Sequence, residues 1–160
     1  MNVKDALKMA IDSSNMISMG YLQDLTDKEM FHRPCKGANH INWQVGHLVA
    51  AENQMQNQAI LGSMPPLPAG FAEKYTKETA TSDDPAKFCT KAELLKAFET
   101  QRAAVFAALE KVSEADLDKP TGVDYAKTIG AMFNLHGAHW LMHAGQWAVI
   151  RRQLGRPPLF

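Results

Sequence analysis

Three of the chain's six histidines lie close together in the segment HGAHWLMHAGQW at 136–147. His139 and His143 are four residues apart, so on a helix their imidazoles lie one above the other on the same face. Two imidazoles at this spacing can bind one cation, as they do in helical zinc sites. Trp140 stands where the H-E-x-x-H motif of metalloproteases has its glutamate, so that motif does not apply. The pair therefore predicts a metal site that needs a further ligand from elsewhere in the chain.

The best candidate for a third ligand is His47, which lies in the middle of a helical pattern in the segment WQVGHLV. Gly46 beside it has no side chain and is expected to permit close approach of a neighbouring helix. A single interior histidine is more often a hydrogen-bonded core residue than a ligand, so this alternative stays open for His47. His136 and Gln146 share the helix face of the pair, and each could hydrogen-bond to a ligand or contact a substrate. His136 could also be a fourth ligand.

Four long segments carry apolar residues at helical spacing, and no segment alternates convincingly between apolar and polar residues. They cover approximately 3–25, 41–61, 91–112 and 128–154. Thr90 and Glu93 form a capping box at the start of the third, and Gly155 followed by two prolines ends the fourth. Four helices without strands predict an all-α four-helix bundle, in which metal and ligand sites form between facing helices. The length of 160 residues fits a single domain, 1–160.

Two features depart from a regular bundle. The connection over about residues 62–90 is longer than the roughly 2–8 residues usual between bundle helices, so it is predicted to be a crossover or a lid. Arg102 lies inside the apolar stripe of the third helix. Such an arginine usually pairs with an acidic side chain or extends to solvent, and this is the role we expect. The alternative is that Arg102 anchors an anionic substrate inside the bundle.

The overall charge and hydropathy argue against several classes of function. Lys and Arg number 17 and Asp and Glu also number 17, so no basic surface for nucleic acid or anionic membranes is indicated. No run approaches the roughly 18 apolar residues of a membrane-spanning helix, and the N-terminus lacks the apolar stretch of a signal peptide. Cys35 and Cys89 have neither redox-pair nor zinc-ribbon spacing, which predicts two free thiols in a cytoplasmic protein.

Two motifs of this chain resemble the DinB/YfiT-like superfamily of metalloenzymes. They are NWQVGHL in the second predicted helix and HWLMHAGQWAVIRRQLGRPP near the end of the chain. Members have one histidine in the second helix and a late H-x-x-x-H-x-G-Q motif, followed by a basic turn and L-G. The resemblance extends over nearly the whole chain in helix order and motif position. It implies an up-down-down-up bundle with a long crossover, in which His47, His139 and His143 hold one divalent metal ion.

The resemblance also implies a set of functions. Zinc is the metal expected, with nickel as the alternative, and many relatives are homodimers. Characterised relatives include thiol S-transferases that use low-molecular-weight thiols and a thiol-dependent isomerase, while others were proposed to be hydrolases. A metal ion with three imidazole ligands keeps an open position for a thiol or a water molecule. We therefore expect metal-dependent thiol transfer to a small-molecule substrate. Hydrolysis is the second interpretation, and non-catalytic metal binding or a stress-response role is the third.

Overall fold

The structure, a computed structural model, describes residues 1–159, and Phe160 lies outside them. Within residues 1–159 it contains four α-helices and no β-strand, which confirms the all-α prediction. The helices are α1 (Val3–Leu22), α2 (Ile41–Ala59), α3 (Lys91–Lys111) and α4 (Ile129–Gln153). Two predicted ends, at residues 25 and 61, are too late, because apolar residues continue the helical pattern after α1 and α2 have ended. In the described part of the chain, no helix is long and apolar enough to cross a membrane.

Side chains fix where the long helices begin. Thr128 caps α4 by accepting a backbone N–H of its first turn. Nδ1 of His40, a buried side chain, accepts the backbone N–H of Trp43 at 3.0 Å and caps α2. The predicted capping box of Thr90 and Glu93 is confirmed at the start of α3. These caps satisfy backbone donors that the first turn of a helix leaves unpaired, so they stabilise α2, α3 and α4.

α1 and α4 lie side by side and run in the same direction. The Ser14 hydroxyl in α1 donates to the Gly137 carbonyl in α4 at 3.0 Å. Further along both helices, Arg151 donates to the Tyr21 carbonyl at 3.0 Å. A Cβ on Gly137 would stand 3.3 Å from the Ala10 carbonyl oxygen, so the missing side chain lets the two helices approach closely.

α2 runs antiparallel to α4 and parallel to α3. The hydrogen bonds that show this join Gln44 to Trp147, Gln56 to His136, Asn42 to Cys89, and Asn53 to Gln101. The first pair joins the start of α2 to the end of α4, and the second joins the end of α2 to an earlier part of α4. In the last two pairs the residue numbers increase in the same direction on both sides, so α2 and α3 are parallel. The bundle is therefore up-down-down-up, and the parallel α2 and α3 require the long crossover that the sequence predicted.

The crossover between α2 and α3 packs against α2. It contains two short 3₁₀-helices, Ala72–Tyr75 and Pro85–Lys87. A Cβ on Gly46 would stand 2.2 Å from the ring of Tyr75, so only glycine fits under this side chain. The helix that approaches Gly46 closely is thus the short 3₁₀-helix Ala72–Tyr75 of the crossover. The crossover thereby reaches the residue directly before His47.

Candidate metal centre

The structure brings together the three histidines that the sequence motifs select. His47 comes from α2, and His139 and His143 come from α4. One ring nitrogen of each lies within 4.8 Å of one ring nitrogen of the other two, a separation that one cation can bridge. The ring centroids are 5.1–6.0 Å apart. We refer to these three residues as the histidine cluster.

The ring of His47 is held by an aromatic partner that the crossover fixes. It stacks on Trp43 with the ring planes 5° apart and the centroids 4.9 Å apart. The Trp43 indole donates to the Thr76 carbonyl and to the Thr79 hydroxyl, both at 3.1 Å. Both acceptors belong to the segment between α2 and α3. The crossover therefore helps to position a candidate ligand as well as connecting two helices.

All three imidazoles are held in the neutral form, which is the form that binds metal ions. Burial lowers the pKa of His139 to about 4, and the neighbouring His47 adds to this effect. Burial likewise lowers the pKa of His143 to about 4, with smaller contributions from the other two histidines. Burial also lowers the pKa of His47. At neutral pH no proton has to leave before a cation binds, so the donor set fits a divalent metal ion.

An open cavity of about 840 Å³ lies beside the histidine cluster. His47 and His143 line it, together with Trp43 of α2 and with Tyr75 and Lys77 of the crossover. No aspartate or glutamate of the described residues lines this cavity, and no lysine or arginine other than Lys77 does. A small molecule in the cavity would therefore reach two of the three imidazoles.

His136 lies apart from the histidine cluster, in a polar network enclosed by α2, α3 and α4. Arg102 forms an ion pair with Glu52 at 2.8 Å, and their side chains are 4% and 3% exposed. Trp140 donates to the same Glu52 oxygen at 3.2 Å. Nε2 of His136 lies 2.8 Å from the side-chain oxygen of Gln56. We refer to these five residues as the buried network. The expected pairing of Arg102 with an acid is confirmed.

Burial shifts the pKa values of His136 and Glu52 in this network. Burial lowers the pKa of His136 to about 3, and the nearby Arg102 guanidinium contributes to that decrease. Burial raises the pKa of Glu52, while Arg102 and the Trp140 indole oppose this rise. Neither His136 nor Arg102 is among the described residues that line the cavity. His136 is also not one of the histidines whose ring nitrogens come together in the histidine cluster.

Sequence reasoning missed three polar residues of α2, namely Gln44, Glu52 and Gln56. The side-chain oxygen of Gln44 lies 2.9 Å from Nδ1 of His143. Gln146, which is exposed, lies 3.3 Å from the side-chain nitrogen of Gln44, so it is linked to His143 through that amide. Helical spacing was the available signal, because positions 44 and 52 fall on one face of α2.

An up-down-down-up bundle with an imidazole cluster between facing helices defines a class of helical proteins that can hold a metal ion. The family model of the DinB superfamily matches residues 10–147, and the chain belongs to this superfamily. A solved structure described as "Crystal structure of the conserved protein of locus from Enterococcus faecalis" is similar, with a TM-score of 0.72 over 98% of this chain and 99% of that chain. The two sequences are 18% identical, so this similarity shows the fold alone. No curated protein matches the chain.

Proposed function

We propose that this chain is a metal-dependent enzyme in which His47, His139 and His143 bind one divalent metal ion. The observation that carries the proposal is a cluster of three neutral imidazoles beside an open cavity. Structural metal sites are usually closed by four protein ligands, whereas catalytic sites keep a position for water or substrate. The cluster contributes three ligands from residues 1–159, which supports the catalytic type of site.

Zinc is the metal that we propose, with nickel as the alternative, because neutral imidazole nitrogen suits both ions. When bound, such an ion would act as a Lewis acid and would lower the pKa of a thiol or a water molecule. The protein's own part is to keep the imidazoles neutral and correctly oriented. Burial of the rings and the stacking of His47 on Trp43 serve these two purposes.

The proposed reaction is the transfer of a thiol to a small electrophilic substrate. In the described part of the chain no carboxylate lines the cavity, and the buried Glu52 is already paired with Arg102. The absence of a free carboxylate base there favours a thiol over the less acidic water as nucleophile. Lys77 in the cavity wall suits the carboxylate that low-molecular-weight thiols commonly carry. Cys35 and Cys89 are free, as predicted, which fits a reducing compartment such as the cytoplasm.

Cobalt-loaded protein and a panel of cellular thiols test this function. Because the visible spectrum of cobalt reports sulfur ligation, thiol binding is expected to give saturable charge-transfer bands. His143→Ala is expected to lose these bands. The matched control His32→Ala changes a histidine that hydrogen-bonds to Gln153 outside the cluster, and it is expected to keep them.

Two results would change the proposal. If no thiol alters the cobalt spectrum while hydrolytic substrates are turned over, hydrolysis replaces thiol transfer as the activity of the site. If the purified protein binds neither zinc, nickel nor cobalt, the metal-dependent function itself is contradicted. The measurement that separates these results is metal content, determined before any substrate is added.

We also propose that the protein is a homodimer. Four apolar side chains of the neighbouring helices α1 and α4 are 47–62% exposed, namely Met9, Met16, Met142 and Val149. Burying them between two copies would remove apolar surface from water. Sedimentation equilibrium is expected to give twice the chain mass, and Met142→Lys is expected to shift the equilibrium towards the monomer. A wild-type monomer at all concentrations would contradict this assembly.

A further inference from the structure

Gln44, in the first turn of α2, contacts a candidate ligand directly. Gln44 is 1% exposed, and its Oε1 lies 2.9 Å from Nδ1 of His143. We infer that Gln44 is a positioning residue, which holds His143 with its proton on Nδ1 and leaves Nε2 as the ligand atom. The role of Nε2 rests on the proposed function. The location of the proton does not, because it follows from contacts within the protein.

The orientation of the Gln44 amide follows from two partners of fixed character. The Trp147 indole N–H can only donate, and it lies 2.8 Å from Oε1. The Asn39 carbonyl can only accept, and it lies 2.7 Å from Nε2 of Gln44, which also donates to Gln146 at 3.3 Å. A flipped amide would place a donor against the indole and an acceptor against the carbonyl. The oxygen of Gln44 is therefore the atom that faces Trp147 and His143.

This oxygen determines which nitrogen of His143 carries the proton. An amide oxygen has no proton to offer, so Nδ1 of His143 is the donor at 2.9 Å. A neutral imidazole has one ring proton, and its location on Nδ1 leaves the Nε2 lone pair free to bind a cation. In water the tautomer with the proton on Nε2 is the more populated one. Gln44 therefore selects the less common tautomer, which is the one that can bind a metal through Nε2.

Nitrogen-15 NMR of the metal-free protein tests the tautomer, because the two ring nitrogens of a neutral histidine have different chemical shifts. The wild type is expected to have the His143 proton on Nδ1. Gln44→Met has a similar volume but no acceptor oxygen, and its His143 is expected to move to the Nε2-protonated form. Gln44→Glu keeps an acceptor oxygen and is expected to retain the proton on Nδ1. A thermal melt establishes that each variant is folded when its spectrum is recorded.

Zinc affinity, measured by competition with a chelator, is the second readout. Loss of the group that orients a metal-binding histidine typically weakens metal affinity about 10–100-fold. We expect a loss of about this size in Gln44→Met. We expect affinity close to that of the wild type in Gln44→Glu. The matched control is Gln58→Met, which changes an exposed glutamine of the same helix and is expected to bind zinc like the wild type.

The outcomes separate this inference from the proposed function. A His143 proton on Nε2 in the wild-type protein would overturn the inference, and so would a Gln44→Met variant whose tautomer and zinc affinity are those of the wild type. If the wild type carries the proton on Nδ1 but binds no zinc, the tautomer assignment stands and the proposed function fails. The tautomer is read without metal, so the two failures have different signatures.

Discussion

Two polar clusters contain residues of both α2 and α4, and they differ in their surroundings. The histidine cluster borders an open cavity of about 840 Å³ that no acidic side chain of the described residues lines. The buried network is closed to solvent around the ion pair of Arg102 and Glu52. His136 and His139 are three residues apart on α4, yet they belong to different clusters. His139 has His47 as its neighbour on α2, whereas His136 has Gln56.

A histidine on a core-facing stripe therefore has no fixed role by itself. An imidazole next to other imidazoles and an open cavity can bind a cation. An imidazole opposite an amide in a closed core satisfies a buried hydrogen bond instead. The comparison favours a structural role for His136 and a metal-binding role for His139.

Breaking the ion pair of the buried network is expected to have the largest effect on stability. Arg102→Met leaves the Glu52 carboxylate buried without its partner, which typically costs about 3–5 kcal/mol. Urea unfolding of the metal-free protein measures this loss as a decrease in the free energy of unfolding. The double variant Glu52→Leu, Arg102→Met removes both charges and is expected to recover most of it.

Zinc binding in the same variants shows whether the two clusters are independent. Arg102→Met protein that remains folded is expected to bind zinc like the wild type, because Arg102 belongs to the buried network. Loss of zinc affinity in that folded variant would mean that the clusters act as one site. A single variant as stable as the wild type would show that the ion pair contributes little to folding.

Gly46→Ala is expected to disturb the histidine cluster through the crossover. The new Cβ would stand 2.2 Å from the Tyr75 ring, so a loss near 3 kcal/mol is expected, at the upper end of the roughly 1–3 kcal/mol typical of overpacking. Displacement of the crossover is also expected to weaken zinc binding. Gly145→Ala is the matched control, because nothing lies within 4 Å of its added Cβ. If Gly46→Ala behaves like this control in both measurements, the crossover does not position His47.

His136 is expected to make the metal-free protein less stable in mild acid. Burial lowers its pKa to about 3 from the ordinary 6.5, so between these values the unfolded chain binds a proton that the folded chain does not. The contribution of neutral His136 to the free energy of unfolding is therefore fully present above about pH 6.5 and decreases as the pH falls. Between pH 7.5 and pH 5 this decrease amounts to about 2 kcal/mol. His136→Gln is expected to reduce the pH dependence of urea unfolding by that amount. An unchanged pH dependence would contradict the burial of a neutral His136.

The fold and the histidine cluster could be predicted from the sequence because their signals are local. Helical spacing gives the four helices, and the four-residue spacing of His139 and His143 gives two candidate ligands on one face. The motif in the second helix supplies His47. The ends of α1 and α2 were harder to predict, because Leu25 and Leu61 continue the apolar pattern although neither is helical.

The partners of the buried network and of His143 could not be predicted, because their contacts are long-range. Gln44 and His143 are 99 positions apart, and Glu52 and Trp140 are 88 apart. A polar residue within a helix is more often exposed, so Gln44 and Glu52 resembled ordinary surface residues. Their roles depend on which residues of α4 lie opposite them in the folded bundle.

We propose that His139 binds metal and that His136 does not. Zinc content per chain, measured by elemental mass spectrometry after reconstitution and removal of free metal, distinguishes the two roles. We predict one zinc ion per chain in the wild type and in His136→Gln, and none in His139→Ala, with circular dichroism showing that all three proteins are folded. Zinc retained in His139→Ala, or lost from folded His136→Gln, would contradict the claim.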